Sequence, residues 1–242
     1  MKLWAYGDSF VAGDQDIPNR VDAIFEHTEY NRYNISFASH LARSLGIELI
    51  NRGISGCSNF VQLDKLWLDA PSISKDDIVI FSLTTPWRDR FTIPHSCPEL
   101  VADTRGPTLV HRELVNGSQN FSRVAIIDLF YVLSVIEKIE KLFNIRVVKF
   151  NAFHNAIAEA EDADKKLFTF DNFIDIDIAG NTLLDLLTEE WGKNKKTDPD
   201  HTKLKPPAKY LHLFTSKYHP SLEGHKLIAE WLENKLKEME II

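Results

Sequence analysis

The chain has 242 residues and carries 28 Lys and Arg against 35 Asp and Glu, a formal net charge of −7. That balance argues against a nucleic-acid backbone as the main partner, since such binding needs dense positive charge. The length suits a single α/β domain over residues 1–242, able to bury roughly 70–75% of its unfolded surface without a disulfide or metal.

Cys57 and Cys97 form neither a Cys-x-x-Cys pair nor a zinc-spaced cluster with histidine, so no metal or other cofactor is expected and the thiols suit a reducing compartment. The residues before Gly7 are too few and too mixed for a signal peptide, and no later apolar run reaches membrane-span length. The expected location is therefore cytoplasmic.

Leu3 to Tyr6 fits a buried strand that runs into Gly7-Asp-Ser-Phe10. Gly7 permits a tight exit, which would lift the Ser9 hydroxyl off the carboxyl end of a sheet, where open α/β folds place their sites. Taken alone, the tripeptide favours an ordinary turn over a site. Asp8 is expected to hold that loop through hydrogen bonds to backbone N–H groups. Residues 11–33 are polar, with Gly13 and Pro18, and suggest a loop-rich insertion over the site.

Residues 34–45 have helical apolar spacing and stop at Gly46, and residues 47–50 suit a second strand. The alternation of strand, helix and strand predicts a parallel sheet with crossover helices. Asn51-Arg-Gly-Ile-Ser-Gly-Cys-Ser-Asn59 is a turn into a helix over residues 60–68. Gly56 would let its backbone approach a substrate oxygen near a helix N-terminus. Asn59 either caps that helix or reaches the site, and capping is the expectation.

Residues 77–83 form the clearest strand, continuously apolar as a central parallel strand should be. Thr84-Thr85-Pro-Trp-Arg88 follows, then a long irregular insertion over residues 91–121. Residues 124–143 predict a helix ending at Asn144, and residues 145–150 a fourth strand, with His154 as a bystander on its rim. A fifth strand falls either over residues 167–170 or after Asn172. The ladder of Asp171, Asp175 and Asp177 lacks the rest of a calcium loop and is assigned to a solvated edge. A helical stretch over 181–187 precedes a polar insertion at 192–211, whose brief basic run Lys193-Asn-Lys-Lys196 is assigned to a solvated loop.

Near the far end stands Tyr218-His-Pro-Ser-Leu-Glu-Gly-His225, followed by a helix over residues 226–239. Together with Gly7-Asp-Ser-Phe10 this resembles the SGNH (GDSL-type) hydrolase superfamily. The resemblance implies a flavodoxin-like α/β/α fold of three layers around a parallel five-stranded sheet. It implies Ser9 as nucleophile and His219 as general base, with Gly56 matching the family's second-block oxyanion glycine.

The family normally has Gly-x-Asn-Asp after the third strand, the asparagine serving as an oxyanion donor. This chain has none there, so Thr84 or Thr85 would supply a hydroxyl, with Arg88 as a longer-reaching substitute. Phage-encoded members resemble it in carrying a Thr-x-Pro stretch with an arginine soon after it, here Thr84, Pro86 and Arg88. Where the family places an aspartate three residues before the histidine, this chain has Ser216, which leaves a Ser9–His219 dyad with Ser216 or a backbone carbonyl holding the ring. Asp198 and His201 share Asp-x-x-His spacing but lack the following Pro-x-x-x-Gly-His, and His225 is expected to anchor its helix.

The expected activity is hydrolysis of an acyl ester, on a small molecule, glycan or lipid, through a serine activated by histidine. Ser9 N–H, Gly56 N–H and the Thr84 hydroxyl would bind the oxyanion, with Thr85, Arg88 and Asn59 as weaker substrate contacts. Acyl transfer to a sugar hydroxyl would use the same residues. The competing expectation is a binding or structural protein on a hydrolase-like scaffold, for instance in a phage particle or other multiprotein assembly.

Overall fold

Among the described residues, four strands, β1 (Lys2–Tyr6), β2 (Glu48–Asn51), β3 (Ile78–Leu83) and β4 (Val147–Asn151), pair in parallel in the order β2-β1-β3-β4. The computed structural model describes residues 1–13, 34–84, 121–152, 170–174, 182–187, 208–215 and 219–242. Because side chains alternate across a pleated strand, each strand feeds both faces of the sheet. Leu3, Ala5, Ile78, Ile80, Val148 and Phe150 enter one core, and Trp4, Tyr6, Val79, Phe81, Leu83 and Val147 enter the other. β3 is buried along its whole length, as its unbroken apolar run requires.

Helices cover both faces, giving three α/β/α layers. α1 (Ser9–Ala12), α2 (Phe37–Leu45), α5 (Leu183–Leu187) and α6 (Leu222–Glu238) contribute to the first core. α3 (Asn59–Asp69) and α4 (Phe121–Phe143) contribute to the second. The helix ends are set locally. Ser36 accepts the Ser39 N–H at 3.2 Å to start α2, and Gly46, at φ 65°, closes it in the left-handed conformation that glycine tolerates. Ser221 starts α6 in the same way, accepting the Gly224 N–H at 3.2 Å. Among the described residues no helix is long and apolar enough to cross a membrane.

β2 and β3 flank β1 on opposite sides, so the connection from β1 to β2 leaves in one direction and the later chain returns past β1 to β3. Right-handed crossovers then place α2 and α3 on opposite faces and open a crevice between the carboxyl ends of β1 and β3. This topological switch point positions everything discussed below.

Two expectations shift. The chain after Ala12 does not begin as a loop at residue 11, because Val11 and Ala12 complete the α1 turn and are fully buried. Ser58, and not Asn59, caps α3, accepting the Val61 N–H at 3.3 Å. Beside β4, among the described residues, a parallel bridge joins Phe173 to Lys149, with Lys149 N–H donating to Asn172 O at 3.0 Å and Ile174 N–H to Lys149 O at 2.8 Å. This bridge lies at the segment after Asn172, while residues 167–169 of the other placement lie outside the described residues. Of the expected insertions, residues 14–33, 91–120 and 192–207 lie outside the described residues, as do His154, Asp175, Asp177, Asp198 and His201, whereas Phe121 begins α4 and residues 208–211 belong to a 3-10 helix.

Lys149 is the one charged side chain in β4 and is fully buried. Its ammonium meets Glu140 Oε2 of α4 at 2.7 Å, while Glu140 Oε1 accepts the Val147 N–H at 2.7 Å and the Asn172 amide at 3.3 Å. A buried charge survives only with such a partner, since desolvation otherwise costs several kcal/mol.

Candidate active site

Ser9 sits where β1 turns into α1, at the carboxyl edge of the sheet. Gly7 makes that turn possible: a Cβ there would lie 2.4 Å from Val11 Cγ2 and 2.9 Å from Ser82 Cβ of β3, with φ at +156°. Asp8 caps the single helical turn, its Oδ1 accepting the Phe10 N–H at 3.1 Å and its backbone oxygen accepting the Ala12 N–H at 2.9 Å. Gly13, at φ 76°, ends the turn with its N–H on Ser9 O. Ser9 is thus the first residue of a helical turn, where backbone N–H groups have no acceptor within the helix. It is 4% exposed.

The segment after β2 is laid along the exit of β1. Arg52 N–H donates to Ala5 O at 2.8 Å, Ile54 N–H to Gly7 O at 3.0 Å, and Cys57 Sγ approaches Gly7 O at 3.4 Å. Within it, Cys57 N–H donates to Ile54 O at 3.2 Å across Ser55 and Gly56, and Gly56 has φ 74°. A positive φ at the third position of such a turn is what calls for glycine. Gly56 therefore stands beside the β1 exit and just ahead of α3.

Thr84, the residue after β3, is bound on three sides. Its N–H donates to Asn59 Oδ1 at 2.8 Å, and Asn59 Nδ2 donates back to Thr84 O at 3.1 Å. Its hydroxyl donates to Asp8 Oδ2 at 2.7 Å. The hydroxyl expected to face an oxyanion is directed to Asp8 instead, and the Asn59 amide holds the Thr84 backbone instead of capping α3. Asp8, Asn59 and Thr84 are all buried.

His219 is delivered by the last part of the chain. A short 3-10 helix, Ala208–Leu213, leads into Phe214, which bridges Pro220 in antiparallel fashion. Thr215 N–H donates to His219 O at 2.8 Å, His219 N–H to Thr215 Oγ1 at 3.2 Å, and Ser221 N–H to Leu213 O at 2.9 Å. Gly224 closes the bracket, since a Cβ there would lie 2.4 Å from Leu213 O. The half-buried His219 ring packs edge-on against Phe10, ring centroids 6.3 Å apart and planes at 61°. The structure thus brings Asp8, Ser9, Gly56, Asn59 and Thr84 to the carboxyl ends of β1 to β3, and sets the His219 ring against the residue following Ser9. Thr85, Arg88 and Ser216 lie outside the described residues.

His225 plays a different part. Its Nδ1 accepts the Phe37 N–H at 3.2 Å, and its ring stacks on Phe37 at 6.3 Å, tying α6 to the start of α2. Burial, and secondarily the nearby His40 and His219, push its pKa down to about 3, so the ring is neutral. The accepting Nδ1 then puts the proton on Nε2, which finds no hydrogen-bond partner among the described residues. His40 is also shifted down, by burial first and then by Arg43 and Lys226.

Two supporting residues carry no role in the sequence-based expectations. Asn51 Nδ2 donates to Val11 O at 2.7 Å and approaches Ser36 Oγ at 3.4 Å, while its Oδ1 accepts the Gly53 N–H at 2.9 Å. Gly53 lies against α1 itself, where a Cβ would be 2.5 Å from Ala12 N and 2.9 Å from Val11 C. The Asn-x-Gly spacing at the end of β2 was the available signal. Among the described residues no group of three or more His, Cys, Asp or Glu is placed to hold a metal ion.

No protein-family model and no curated protein matches the chain. Among solved structures it is similar to a member of the lipolytic protein G-D-S-L family from Veillonella parvula DSM 2008, at 14% identity and TM-score 0.44, over 98% of this chain and 96% of that one. It is also similar to a protein assigned to the lipolytic G-D-S-L family from Desulfitobacterium hafniense DCB-2, at 15% identity and TM-score 0.45, over 96% and 98% respectively. A third, assigned as a GDSL-like lipase from Parabacteroides merdae ATCC 43184, has 15% identity and TM-score 0.48 over 99% of this chain and 95% of its own.

Proposed function

We propose that the chain is a serine ester hydrolase of the SGNH type, with Ser9 as nucleophile and His219 as general base. The observation that carries this is the packing of the His219 ring on Phe10, which puts an imidazole beside the turn that presents Ser9 at the switch point. In the proposed reaction His219 takes the Ser9 hydroxyl proton as Oγ attacks the ester carbonyl. The backbone N–H groups of Ser9 and Gly56 hold the oxyanion. Collapse expels the alcohol, which receives the proton from His219, and water then cleaves the acyl-serine by the same route in reverse. In this reading Ser216 or a backbone carbonyl would orient the ring, Thr85 and Arg88 would supply substrate contacts, and the substrate is an acyl ester of a carbohydrate or lipid, while the Asn59 amide is taken up by Thr84.

Short p-nitrophenyl esters test the assignment. Ser9→Ala and His219→Ala should each lower kcat by about 10³-fold or more. Activity unchanged in both variants would remove it.

One observation favours a second proposal. With its hydroxyl donated to Asp8, Thr84 does not supply the side-chain oxyanion donor of the family pattern, and loss of such a donor typically costs about 10²–10³ in turnover. A binding or structural protein, for instance in a phage assembly, would tolerate that loss. Covalent labelling of Ser9 by a fluorophosphonate supports the enzyme, and absence of labelling together with stable assembly onto partner subunits supports the binding protein.

A further inference from the structure

We infer that Thr84 is a positioning residue that acts on Ser9 through Asp8, an inference that rests on the hydrolase assignment above. A hydroxyl has one hydrogen to give, and that of Thr84 goes to Asp8 Oδ2 at 2.7 Å. The other oxygen of the same carboxylate accepts the Phe10 N–H at 3.1 Å and so caps the turn that carries Ser9. Thr84 is in turn fixed by the Asn59 carboxamide, which exchanges hydrogen bonds with both its backbone N–H and its carbonyl. Three segments far apart in sequence are thereby joined across the crevice between β1 and β3, at side chains no more than 4% exposed.

A carboxylate held at one oxygen only can rotate about its Cα–Cβ and Cβ–Cγ bonds. Held at both, it fixes the first turn of α1 against the end of β3. The threonine therefore sets where the nucleophile stands, and does not itself meet the developing oxyanion.

The test compares Thr84→Val, Thr84→Ser, Asp8→Ala and the Asp8→Ala/Thr84→Val double variant on p-nitrophenyl acetate, each well below its own melting midpoint. Thr84→Val should lower kcat about 10²-fold, the scale of a misplacement of about 1 Å, with KM within about threefold. Thr84→Ser, which keeps the hydroxyl, should restore kcat to within about threefold. The double variant should be no slower than the slower single variant, because both interrupt one linkage. Thr84→Val with wild-type kcat, or losses that multiply in the double variant as for a direct oxyanion donor, would overturn the inference. If Thr84→Val does not fold, wild-type kcat in Asp8→Ala overturns it equally. A wild-type chain that neither turns over ester nor takes up a fluorophosphonate overturns the hydrolase assignment and the positioning role together. When the wild-type chain does both, an unaffected Thr84→Val variant overturns the positioning role alone and leaves the hydrolase assignment standing.

Discussion

Replacing Gly53 by alanine should move the serine-bearing turn. The added Cβ would stand 2.5 Å from Ala12 N and 2.9 Å from Val11 C, whereas an unstrained contact is about 3.5 Å. Backbone must therefore shift by about 1 Å. The turn after β2 has little room to give, because Arg52 and Ile54 N–H groups are bonded to Ala5 O and Gly7 O and the Gly53 N–H to Asn51 Oδ1. The displacement passes to α1. Overpacking of this kind costs about 1–3 kcal/mol, which for a chain of this size lowers the melting midpoint by about 2–12 °C. A shift of about 1 Å at the nucleophile lowers kcat about 10²-fold. Gly46→Ala is the control: nothing lies within 4 Å of its Cβ, but φ is +65°, so it incurs only the left-handed penalty of about 1–2 kcal/mol. Ester turnover and thermal melts on both variants are the assay. Wild-type turnover and melting in Gly53→Ala, or an equal loss of kcat in Gly46→Ala, would refute the reasoning.

The neutral, buried His225 makes stability depend on pH. Between its unfolded value of 6.5 and its folded value of about 3, the unfolded chain binds a proton on this ring that the folded chain refuses. Stability is therefore full above about pH 6.5 and falls as pH drops toward 3, by at most about 1.4 kcal/mol per pH unit from this group. His225→Asn keeps an acceptor for the Phe37 N–H and should flatten the slope of urea-unfolding stability between pH 6 and 4; identical slopes would count against it. The buried ion pair gives another outcome. Glu140→Ala should cost about 3–5 kcal/mol by stranding the Lys149 ammonium, while Glu140→Leu with Lys149→Met should recover most of it. Urea melts decide, and a single variant as stable as the double would contradict this.

The sheet was legible because its strands are apolar runs of the right length, and β3, buried throughout, needed no tertiary information. β2 was placed one residue early: Asn51 belongs to it because it pairs opposite Ala5, and a polar strand end gives no apolar signal. α1 was unreadable for a different reason, since four residues are too few for a helical period. Ser58 and Asn59 are both good cap residues and adjacent, so only the geometry at Val61 separates them. Residue identity places Thr84 in the crevice but cannot say which way its hydroxyl turns. That direction depends on Asp8, which follows the neighbouring strand β1 and lies 76 positions away in sequence. At the fifth position of the sheet the described residues give one bridge, beside Asn172 at φ 55°.

The ammonium of Lys149 also acts as an alignment key for β4. Along a strand successive side chains point to opposite faces, so sliding β4 by one residue would turn this charge toward the layer of Phe37, Leu41 and Ile228. Those neighbours are aliphatic or aromatic, and Glu140, held from α4 on the other face, would be out of reach. The mispaired sheet would carry a stranded cation, and the correct pairing is selected by that penalty even if the ion pair adds little to the stability of the final fold.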